Sequence, residues 1–78
     1  MNVKTMWVDE NKALGIVEVE DRTFGSAFHP VKYVAPNKGE FLVINRLWYT
    51  TYNGAREFFR AKTNAHIISG RLKKMKAG

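Results

Sequence analysis

The chain contains no cysteine. That absence excludes a disulfide scaffold, a thiolate zinc site and a cysteine nucleophile. It has no apolar run near the ~20 residues that a membrane-spanning helix needs. It has no glycine-rich phosphate loop. Serine occurs only as Ser26 and Ser69, and neither sits in a nucleophile-elbow setting. Carboxylates cluster at 9–10 and 18–21 without the burial signals that would tune an acid–base pair. The two histidines, His29 and His66, lack the neighbours a metal site requires. These lacks point away from an enzyme, a cofactor and a small-molecule substrate. Asp9 and Glu10 place charge where a signal peptide needs an apolar stretch, so the expectation is a soluble, cytoplasmic protein without a membrane partner.

What is present fits one small domain of 78 residues. A chain of that length buries only ~60% of the surface its unfolded form exposes, so its core is thin. Hydrophobic residues at 45% and charged residues at 26% argue against a disordered chain. The net charge of +6 is unevenly placed. Residues 1–30 carry a balance of −2, and residues 31–78 a balance of +8. A basic half of this kind is the usual footprint of a polyanionic partner, because phosphate contacts release counterions.

Residues 3–8 are β-prone, and Asp9-Glu10-Asn11-Lys12 reads as a turn. Residues 13–20 alternate as a strand, with Gly15, Val17 and Val19 on one face. Leu14, Ile16, Glu18 and Glu20 fall on the other. The two glutamates need water, so Leu14 and Ile16 are expected beside them on an exposed contact surface, unless a neighbouring loop or helix covers the pair. Asp21 to Thr23 turn the chain into a third strand at 24–29, ended by Pro30. Residues 31–35 are extended, and Pro36-Asn37-Lys38-Gly39 is a turn. Residues 40–49 are largely apolar on both faces, which predicts a strand that is central or covered on both sides.

The period changes after Thr51. A short helix is expected at 53–63, with Asn53 as N-cap and Ala55, Phe58, Phe59 and Lys62 on one face. Arg56 and Arg60 share another face, and Asn64 is a candidate end. Ala65 to Met75 reads as a strand or as a second helix. Residues 1–50 would thus supply β-strands, and residues 51–78 a basic helix with a last strand or second helix.

Residues 7–31 resemble the cold-shock domain. That family opens with K-W-F-N, two residues, then K-G-F-G-F-I. Trp7, Val8 and Asp9 stand at W-F-N, and Lys12-Ala13-Leu14-Gly15-Ile16-Val17 stands at K-G-F-G-F-I without a gap. The second motif, V-F-V-H-F, falls on Ser26-Ala27-Phe28-His29-Pro30. The resemblance covers about a third of the chain and rests mainly on Trp7, Lys12, Gly15 and His29. It implies a mainly β fold: a small OB-like, cold-shock-like antiparallel barrel of 4–5 strands that binds single-stranded RNA or DNA. The family's stacking phenylalanines are replaced here by Leu14, Ile16 and Ala27. Each lost base–ring stack is worth ~1–3 kcal/mol, so other residues must compensate. Ala13 also stands where the family has glycine.

The resulting interface is Trp7, Leu14, Ile16 and His29 towards bases, with Arg56, Arg60, Lys62, Arg71, Lys73, Lys74 and Lys76 as candidate phosphate contacts and Lys12 as a further binding residue. Trp48, Tyr49 and Tyr52 are a possible substitute stacking surface. Two other functions compete. The Leu14–Ile16 patch would equally suit a protein partner, making the chain an adaptor or inhibitor. Residues 51–74 have roughly the spacing of a helix-turn-helix that enters duplex DNA.

Overall fold

Among the described residues, alternating apolar side chains, turn residues and β-branched valines produce five strands and one helix. The strands are β1 (Val3–Asp9), β2 (Leu14–Asp21), β3 (Gly25–Ala35), β4 (Glu40–Val43) and β5 (Lys73–Met75), with α1 (Tyr52–Phe58) between β4 and β5. The structure, a computed structural model, describes residues 2–9, 11, 13–35, 39–60, 68 and 70–75. The fold is mainly β with a short helix, as the sequence predicts. All pairings are antiparallel, and the strand order is β4-β3-β2-β1-β5. No helix among the described residues is long and apolar enough to cross a membrane.

The first hairpins follow from their turns. The Asp9 carbonyl accepts from the Ala13 N–H at 2.9 Å, and the Asp9 carboxylate accepts from the Asn11 N–H at 3.0 Å. Ala13 takes φ 55°, in the left-handed region. Asp21 accepts from the N–H groups of Thr23 and Phe24, and Gly25 follows at φ 82°. Such side-chain-to-backbone bonds reverse the chain locally.

β2 has apolar side chains buried on both of its faces. Met6, Val8, Val17, Val19, Ala27, Val31 and Tyr33 form one cluster. Phe41 of β4 and Met75 of β5 pack on that same cluster, so both sheet edges bend around it. A Cβ on Gly39, the turn residue just before β4, would lie 3.7 Å from the Met6 sulfur of β1. The sheet is therefore curled and barrel-like, but it stays open, with β4 and β5 as its edges. Irregular register between Val3 and Thr5, and between Tyr33 and Ala35, marks bulges that increase local twist.

The other face carries Leu14 and Ile16, covered by Ala55 and Phe59 of the α1 segment and by Ile68. The expected exposure of Leu14 and Ile16 is thus corrected: they are 5% and 0% exposed. Their cover comes from residues some forty positions later, which strand alternation alone does not reveal.

Three boundaries also differ from expectation. β3 runs through Pro30 instead of ending there. The Pro30 carbonyl accepts from the Ile44 N–H at 3.1 Å, so its nitrogen faces that same side, past the last β4 residue, where no ladder donor is needed. The apolar stretch 40–49 is not a central strand. It forms the short edge strand β4, with Leu42 and Val43 exposed, and then leaves the sheet. Asn45 explains the exit, because its side-chain oxygen accepts from the Leu47 N–H at 3.2 Å. The chain returns at Tyr49, which exchanges two backbone hydrogen bonds with Phe28. Finally, α1 starts earlier than expected and is capped by Thr51, not Asn53: the Thr51 hydroxyl accepts from the Gly54 N–H at 3.0 Å. The helix also ends earlier than expected, at Phe58 with Phe59 as C-cap, and residues 61–67, including Asn64, lie outside the described residues.

Candidate nucleic-acid interface

Helix α1 places its side chains on two sides. Ala55 and Phe59, one turn apart, are fully buried against the sheet. Arg56 is drawn in beside them and is only 6% exposed. Its Nη2 donates to the carbonyls of Ile68 at 2.9 Å and Gly70 at 2.7 Å. These bonds tie the segment leading to β5 onto the helix. Nη1 of the same guanidinium is buried and has no hydrogen-bond partner among the described residues.

Beside this anchored side chain lies a cleft of about 420 Å³, lined by Tyr52, Arg56, Arg60, Ile68, Gly70 and Arg71. No carboxylate among the described residues lines it. Glu57 pairs with Arg60 along the helix surface and offsets part of that charge. Tyr52 connects the cleft to the sheet, since its ring centroid is 4.8 Å from that of Trp7. Trp7 is partly buried and also packs near Phe28, at 6.2 Å. Across the β1–β5 ladder Trp7 pairs with Lys74, which puts Lys74 on the Trp7 side of the sheet.

Of the residues expected at the interface, Trp7, Arg56, Arg60 and Arg71 are brought together around Tyr52. Leu14 and Ile16 are on the same sheet face but buried, so neither presents an open platform. His29 is on the opposite face: it pairs with Val17, whose side chain belongs to the other cluster. Burial holds the His29 imidazole below its ordinary range, which favours the neutral ring at pH 7. Lys73 pairs with Val8 and so also faces away from Trp7. Strand register, which residue spacing leaves undetermined, made Lys74 rather than Lys73 the neighbour of the tryptophan. Lys12, Lys62 and Lys76 lie outside the described residues, as does His66.

The acidic residues of β2 do not oppose the cleft freely. Burial raises the Glu18 carboxyl, but hydrogen bonds from Ser26 and Thr5 and the charges of Lys4 and Lys74 outweigh it and hold it below the usual range. The Ser26 hydroxyl donates to Glu18 at 2.7 Å, and Lys4 lies 3.8 Å away. Tyr33 is spent structurally: its hydroxyl donates to the Trp7 carbonyl at 2.9 Å, and burial raises its phenol well above the ordinary range.

A different apolar surface is exposed. Phe24 and Trp48 contact each other with centroids 5.6 Å apart, and both are largely open to solvent with Leu47. Sequence reasoning missed this pairing, because a turn residue and a loop residue share no periodic signal. The helix-turn-helix expected over 51–74 also meets a strand at its end, since Lys73–Met75 is β5. In comparisons with protein-family models, curated proteins and solved structures, nothing matches this chain.

Proposed function

We propose that the protein binds single-stranded nucleic acid, led by phosphate contacts at the α1–β5 cleft. The observation that carries this reading is the convergence of Arg56, Arg60 and Arg71 in one cleft with Tyr52, adjacent to Trp7. Guanidinium forks match phosphate oxygens in pairs, and an aromatic edge beside them gives a base a ring to meet. The charge balance of +8 over residues 31–78 supports the same partner. The sheet wall built on Leu14 and Ile16 has no part in it.

Backbone amide shifts on adding a single-stranded oligonucleotide test the reading. Perturbations are expected at Tyr52, Arg56, Arg60, Gly70 and Arg71, and at Trp7. Perturbations confined to Phe24, Leu47 and Trp48, or none, would contradict it. That first outcome would favour a second reading, a protein-binding adaptor, which is supported by the exposed Phe24–Trp48 pair.

A further inference from the structure

Six asparagines occur in the chain, and only Asn53 is followed by glycine. An Asn-Gly pair is the combination most open to spontaneous ring closure, because no Cβ on the second residue shields the attacking backbone nitrogen. Packing places the glycine here. A Cβ on Gly54 would stand 3.2 Å from the Thr51 hydroxyl oxygen and 3.2 Å from both Cβ and Cδ2 of Tyr49, tighter than ordinary contact. Asn53, just before it, is exposed.

Two features of α1 hold the reaction off. Ring closure brings the Gly54 nitrogen to Asn53 Cγ, and for this Asn53 must leave the helical ψ of about −42°. Asn53 lies inside α1. The nitrogen is also occupied, since the Gly54 N–H donates to the Thr51 hydroxyl at 3.0 Å. The next bond of that turn, from the Ala55 N–H to the Thr51 carbonyl, is long at 3.3 Å. A helix of seven residues has little stability of its own, so its first turn depends on the cap.

We infer that Asn53 is a latent deamidation site that the Thr51 cap keeps closed. When the first turn opens, the Gly54 nitrogen gives up its proton and bonds to Asn53 Cγ. The side-chain nitrogen takes up a proton and leaves as ammonia. Water then opens the cyclic imide at either carbonyl, which restores the Gly54 N–H and leaves aspartate or isoaspartate. Isoaspartate routes the main chain through the side-chain methylene, so the turn cannot re-form in register beneath the Tyr52–Trp7 ring contact. Either product adds one negative charge to the basic half of the chain.

The test holds the full chain in mildly alkaline buffer and follows loss of the amide in the tryptic peptide 47–56 by mass spectrometry. A reaction that runs through an open state has a rate proportional to that state's population. Loss of the cap costs ~1 kcal/mol, so Thr51→Ala is expected to lose the Asn53 amide about fivefold faster than the parent chain. Thr51→Ser keeps the hydroxyl and is expected to match the parent. Val19→Ala loosens the cluster on the other face of the sheet and is expected to leave the rate unchanged. The chain unfolded in urea is expected to react fastest. An equal rise in Thr51→Ala and Val19→Ala would place the reaction in globally unfolded chains and overturn the inference. A Thr51→Ala rate equal to the parent's also overturns it, as does a folded parent that reacts as fast as the unfolded chain.

Discussion

A Cβ on Gly15 would stand 1.9 Å from the Trp7 carbonyl oxygen and 2.8 Å from the Tyr33 ring. Glycine is required there by close approach: Tyr33 crosses over β2 to reach the Trp7 carbonyl of β1. Gly15→Ala is expected to destabilise the protein by about 3 kcal/mol, the upper part of the overpacking range, because one of the colliding atoms is backbone. A lowered urea midpoint with unchanged slope would show it. His29 makes a second residue-scale prediction. Its imidazole is held below the ordinary value by burial, so the unfolded chain takes up a proton first as pH falls. Stability is then lost as pH drops below about 6.5 towards the folded value, and is flat beneath it. The urea midpoint should fall between about pH 7 and pH 5, and less so in His29→Gln. His66 contributes equally to both proteins and cancels in the comparison.

At the scale of elements, the α1–sheet interface decides the architecture. Leu14 and Ile16 of β2 meet Ala55, Phe59 and Ile68 there. Leu14→Asp would bury an unpaired carboxylate, at a cost of at least ~3 kcal/mol. A chain of this length has a total stability of about 4–12 kcal/mol, so the loss is a large share. Thermal denaturation should show a sharply lowered midpoint, whereas an exposed Leu14 would leave it unchanged. The strands β1 and β2 were legible in the sequence because their alternation and turn residues are local. Burial of Leu14 and Ile16 was not, because alternation assigns faces without saying what covers them. The run 40–49 was misread for a related reason. Apolar content on both faces fits a central strand or an edge strand followed by a loop, and the Asn45 turn decides for the second. Among the candidate site residues, the arginines were legible from charge and helical spacing, whereas Tyr52 as their link to Trp7 required the fold.

Across the whole molecule, charge is segregated. The acidic residues of β2 are engaged by Ser26, Thr5, Lys4 and Asn2. The cationic residues of α1 and the β5 approach converge on a cleft that no carboxylate among the described residues lines. On the proposed reading, this arrangement would draw a polyanion to one side without an exposed row of rings. The apolar faces of the curled sheet are mostly consumed by packing.

The most direct test of phosphate-led binding is the salt dependence of affinity for a single-stranded oligonucleotide. Each neutralised phosphate on a single strand contributes ~0.7 to the slope of log affinity against log salt, so one phosphate contact each by the exposed Arg60 and Arg71 predicts a slope of about −1.4. Arg60→Gln with Arg71→Gln should bring it close to zero. A slope near zero, or the same slope in the double variant, would contradict the assignment of the arginine cleft as the binding site.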